Sequence, residues 1–94
     1  MTLLKRWMKS MSYEVVLTEK AEIHLDNIYN WVKLNHPTNA KKVKNNLINS
    51  MMSLSVFPNR GVSYRGTKYK FLVSGKFKIV YYVDGDQVVI MAIE

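Results

Sequence analysis

Residues 69–93 read YKFLVSGKFKIVYYVDGDQVVIMAI, from Tyr69 to Ile93, and their period of two decides the fold. Tyr69, Phe71 and Val73 alternate, then Phe77, Ile79, Tyr81 and Val83, then Val88, Ile90 and Ala92. Successive side chains of a strand point to opposite faces, so each run predicts a strand with one apolar face. Ser74-Gly75 marks the first turn. Asp84-Gly85 marks the second and predicts a type I′ hairpin, because these residues tolerate the positive φ such turns need. The expectation is a three-stranded antiparallel meander.

Upstream the period changes. Tyr13 to Leu17 is rich in β-branched and aromatic residues and predicts a short strand. Thr18 then offers an N-cap, and Glu19 places negative charge in the first helical turn. Ala21, Leu25, Ile28 and Val32 fall at i, i+4, i+7 and i+11, the stripe of a helix over roughly 19–35. His36-Pro37 ends it, since the residue before proline avoids the helical region. Thr38 is the expected cap of a second helix, with the stripe Ala40, Val43, Leu47, Met51 and Leu54 and with Pro58 as its stop. So short a link folds the two helices back as a hairpin. Asn59 to Thr67, with Gly61 and Gly66, is a loop. The predicted class is α+β with the order β-α-α-β-β-β: an antiparallel sheet covered on one face by the helical hairpin, since neither layer buries its apolar side alone.

The chain has 94 residues, room for one core. Residues 1–12 are expected to be an N-terminal extension to a domain spanning 13–94. Leu3, Leu4, Trp7, Met8 and Met11 have helical spacing there, and Met11 is a possible true start. There is no cysteine, hence no disulfide and no thiol chemistry. No apolar run approaches a membrane span, and no signal peptide pattern is visible, so a cytoplasmic location is expected. Fourteen Lys and Arg against seven Asp and Glu give a net charge of +7. That field favours an acidic partner: nucleic acid, an acidic protein or anionic lipid.

Residues 70–85, KFLVSGKFKIVYYVDG, resemble the signature of the RelE/ParE toxin superfamily. That pattern is an Arg, a Leu two positions later, a Gly, an aromatic-Arg-Ile group and a Tyr, followed by a hairpin. Pro58, Asn59, Arg60 and Gly61 look like the loop after the second helix, and Ala21, Leu25 and Ile28 match the core of the first. The resemblance spans about 13–94 and is closer to ParE, the type found among plasmid stabilisation proteins. It implies the toxin of a type II toxin–antitoxin pair, inhibiting DNA gyrase by protein binding and neutralised by a cognate acidic antitoxin. Two other readings stay open. One is a RelE-like endoribonuclease acting on messenger RNA at the ribosome. The other is a non-toxic remnant that only binds an antitoxin, because the sequence stops at Glu94 where relatives continue into a basic tail. Lys70 and Lys78 stand where the family commonly has arginine, which keeps the charge and loses the bidentate fork.

Cleavage of RNA needs a base, a cationic clamp on the phosphate and an acid. In this sequence the residues able to serve are Lys70, Lys78, Arg65 and Tyr82, with Lys68 and Lys76 nearby. Alternation groups Lys68 with Lys70, and Lys76 with Lys78 and Tyr82; hairpin register decides whether they meet. The balance of readings leans away from an enzyme. No cofactor is expected. His24 and His36 stand apart, without the ligand cluster a metal needs, and both read as structural. Asp84 and Asp86 read as turn residues. At about 100° per residue, Ile23 and Leu34 point away from the core stripe of the first helix, close to Asn27 and Asn30. Exposed apolar groups beside small amides suit a partner contact. Expected partner-binding residues are therefore Ile23, Asn27, Asn30 and Leu34, with Lys68, Lys70, Lys76 and Lys78.

Overall fold

The computed structural model describes residues 4–9, as backbone, and residues 13–94. In chain order these form β1 (Leu4–Lys9), β2 (Glu14–Thr18), α1 (Glu19–Asn35), α2 (Ala40–Ser53), β3 (Val62–Ser63), β4 (Lys70–Ser74), β5 (Phe77–Asp84) and β6 (Gln87–Ile93). Thr18 joins strand to helix as expected: its side chain accepts a hydrogen bond from the Ala21 amide at 3.2 Å. Ala21, Leu25 and Val32 are buried along α1, and Ile28 packs on the same core. His36 is the C-cap of α1, its N–H bonded to the Val32 carbonyl at 2.6 Å. The second cap differs from expectation. Asn39, not Thr38, precedes α2, and no side chain caps that helix; the Asn39 amide instead closes a turn on the His36 carbonyl. Ala40, Leu47, Met51 and Leu54 are buried, with Val43 packed at their margin.

The helices lie on one face of a six-stranded sheet in the order β1-β2-β6-β5-β4-β3. The sheet is mixed rather than antiparallel throughout. β2 runs parallel to β6, with Val15 opposite Val88 and Leu17 opposite Ile90, while every other neighbouring pair is antiparallel. The helical crossover lets β6 return beside β2 in the same direction. Every residue of β2 is consequently buried. Residues 4–9 form a strand, not a helix. An isolated helix of this length is marginal, whereas the edge of β2 offers backbone partners from Thr18 to Glu14. Trp7 falls at an irregularity in this pairing.

Two further corrections concern which side chains face the helices. Ser74 pairs with Phe77 across a two-residue turn, and this register sets Leu72 opposite Ile79. Leu72 is therefore buried, whereas Val73 is 59 % exposed, so Tyr69, Phe71 and Val73 line the opposite face. In β6 the register shifts: Tyr81 pairs with Ile90 but Val80 with Ala92, leaving Met91 as the extra residue of a bulge. The bulge reverses the alternation, so Ile93 joins the core and Ala92 turns outward. The β5–β6 turn has Gly85 at φ 60° and no positive φ at Asp86, so it is of type II′ rather than I′.

Candidate functional site

Tyr81 anchors the loop after α2 to the sheet. It is fully buried; its hydroxyl donates to the Pro58 carbonyl at 2.8 Å and accepts from the Gly61 amide at 3.0 Å. Burial pushes its pKa above the ordinary value, against smaller opposing effects from the Gly61 hydrogen bond and the Arg60 charge. Arg60 is tied to α2 through Nη1 to the Ser53 hydroxyl at 2.8 Å. The braced loop presents Val56 and Phe57 to solvent.

The outward stripe of α1 is as helical arithmetic predicts. Ile23, Asn27, Asn30 and Leu34 are all exposed, Ile23 at 49 % and Leu34 at 84 %. Trp31, 60 % exposed, stands beside them and was missed; its place one turn after Asn27 was the signal that could have found it. Trp31 also borders a groove of about 820 Å³ at the loop end of the helical hairpin, lined further by His36, Val43, Ser50, Lys76 and Phe77. The imidazole of His36 meets the Trp31 indole edge-on, with centroids 6.5 Å apart. Lys44 reaches over the Tyr29 ring at 4.9 Å and ties α2 to α1.

The expected lysine cluster divides. Lys70 lies opposite Tyr81 on the helix-facing side of β4, where its Nζ donates to the Ser63 hydroxyl at 3.0 Å. Lys78 lies opposite Val73 and points the other way, its Nζ 5.0 Å from the Phe71 ring centroid. Lys68 joins Lys78 on that outer face, 4.3 Å from the Tyr82 ring centroid. Lys76 sits in the β4–β5 turn at the groove. Of the set Lys70, Lys78, Arg65 and Tyr82, only the last three share a face, so Lys70 is not brought to one phosphate with Lys78. Strand pairing alone decides this, because Lys70 and Lys78 sit at positions of opposite parity in the hairpin.

His24 serves the fold: its Nδ1 accepts the Ile93 amide at 3.1 Å, fastening α1 to β6. Among the described residues no group of His, Asp or Glu is placed to hold a metal, and no helix is long and apolar enough to cross a membrane.

Comparisons with known proteins agree with this architecture. The family described as "ParE toxin of type II toxin-antitoxin system, parDE" matches residues 15–94. A solved structure titled "Chromosomal ParDE TA system from P. aeruginosa" superposes with a TM-score of 0.77 at 22 % identity, covering 90 % of this chain and 97 % of that one. That likeness establishes a shared fold. No curated protein sequence matches the chain significantly.

Proposed function

The chain belongs to the ParE toxin family of type II toxin–antitoxin systems, and from that premise we propose that it inhibits DNA gyrase by protein–protein contact and is neutralised by a cognate acidic antitoxin. The observation that carries this reading is the outward stripe of α1. Ile23, Trp31 and Leu34 expose apolar surface beside Asn27 and Asn30, an arrangement suited to a packed contact with polar groups at its rim. Lys76 at the neighbouring groove adds positive charge for an acidic segment. Inhibition by contact also fits the divided lysines, since Lys70 and Lys78 do not converge on one scissile bond.

The test has two arms. Induction without the adjacent gene should arrest growth, and co-expression with it should restore growth. The purified chain should block supercoiling of relaxed plasmid by gyrase, and Leu34→Asp should relieve that block while leaving the circular dichroism spectrum unchanged. Undisturbed supercoiling together with codon-phased cuts in messenger RNA would replace this reading with the nuclease one.

A further inference from the structure

The sheet face turned away from the helices carries a second surface, unused by the contact on α1. Its β3–β4–β5 half is paved with rings. Tyr64 and Phe71 have centroids 4.9 Å apart at a 44° tilt, and Tyr69 and Tyr82 meet edge to face at 5.7 Å. Cations rest on this paving: the Lys68 ammonium lies 4.3 Å from the Tyr82 centroid and 5.6 Å from that of Tyr69, and Lys78 lies 5.0 Å from Phe71.

Tyr64 and Tyr69 also line a shallow depression of about 460 Å³ with Val80 and Ala92, where Arg65 and Lys20 contribute positive charge. The loop carrying both tyrosines is braced. The Tyr64 amide donates to the Tyr69 carbonyl at 2.9 Å, the Thr67 amide to the Tyr64 carbonyl at 3.1 Å, and the Tyr69 amide to the Thr67 hydroxyl at 3.2 Å. Glu94 borders the same depression.

Half-buried rings interleaved with exposed cations match one ligand chemistry in particular. Bases of an unpaired strand stack on aromatic faces, each stack contributing about 1–3 kcal/mol, while the phosphates between them seek lysine and arginine. An acidic peptide would use the cations and leave the rings without partners. A duplex hides its base faces and would use only the charge. We propose that this face binds single-stranded nucleic acid, with bases stacking on Tyr64 and Tyr69 and phosphates held by Lys68, Lys78 and Arg65.

Fluorescence anisotropy of the full chain with labelled oligothymidylate and oligouridylate of about 12 nucleotides, a length in the range of small single-strand sites, tests this. Binding should weaken linearly in log affinity against log salt, the signature of released counterions. The double variant Lys68→Gln, Lys78→Gln touches no core residue and should lose about tenfold or more in affinity with a shallower salt slope. Tyr64→Leu should lose about tenfold with the slope unchanged, as removal of a stacking ring without removal of charge does. Absence of binding, equal affinity for a duplex of the same length, or displacement by polyglutamate as readily as by unlabelled oligonucleotide would each overturn the proposal. None of these measurements involves gyrase or an antitoxin, so it stands or falls apart from the toxin reading.

Discussion

The Tyr81 hydroxyl is engaged on both sides, by the Pro58 carbonyl and the Gly61 amide, in a site without water access. Tyr81→Phe keeps the ring and strands both partners, so urea unfolding should report a loss of about 1–3 kcal/mol. The contribution should also depend on pH. The folded pKa is raised above the unfolded value of about 10. Stability from this group is therefore complete below about pH 10 and is lost as pH rises from there through the folded value, across the window in which the unfolded chain alone has released its proton. The gap between the native chain and Tyr81→Phe should hence narrow in strong base; a gap independent of pH would contradict it. Gly61 faces the same hydroxyl. A Cβ there would sit 2.5 Å from the Tyr81 oxygen and 2.8 Å from the Phe71 carbonyl oxygen, and the latter is backbone that cannot swing aside. Gly61→Ala should lower the midpoint of thermal unfolding more than Tyr81→Phe does. Combining the two should recover only part of the loss, because the Phe71 contact survives removal of the hydroxyl.

Thr18 couples three elements. Its hydroxyl oxygen caps α1 and reaches the carbonyls of Ile90 and Met91, at 3.1 and 3.3 Å, where β6 bulges. Thr18→Val preserves shape and removes all of these, so a loss of about 1–2 kcal/mol is expected, at the upper end of cap deletions. Hydrogen exchange should place the weakening in both α1 and the end of β6; a change confined to α1 would reduce Thr18 to a simple cap. The same coupling explains what could be read in advance. Glu19–Asn35 and the core stripes of both helices follow from local spacing and were legible. So was the outward run from Ile23 to Leu34, because a helix converts sequence distance directly into angle. The inward face of β4 was not legible, because Leu72 faces in only through the register fixed by the two-residue turn at Gly75. Nor was the reversal at Met91, whose bulge is held from Thr18, far away in the chain. The division of the lysines follows the same logic: strand residues acquire a common face from pairing, and pairing is a property of two strands together.

At the scale of the whole molecule the excess of seven positive charges sits on a body with extents of 38 × 26 × 26 Å. Its sum was legible in composition, but its distribution was not: Lys70 bonds Ser63 on one side while Lys68 and Lys78 rest on rings on the other. How such a body meets an acidic antitoxin depends on the reach of its field. At 0.01 M salt the screening length is about 30 Å, comparable with the molecule, so all seven charges act on an approaching partner together. At 0.1 M it is about 10 Å, and only the charges nearest the partner are felt. Stopped-flow association with the acidic antitoxin proposed as its partner should therefore slow by about tenfold or more between these salts, as steered encounters do. Dissociation is governed by what is buried after contact. If the exposed Trp31 and Leu34 are the apolar anchors proposed above, the off-rate should change little with salt but rise sharply in Leu34→Asp. An association rate indifferent to salt, or a dissociation rate carrying all of the salt effect, would move the basis of recognition from the field of the whole protein to a few local ion pairs.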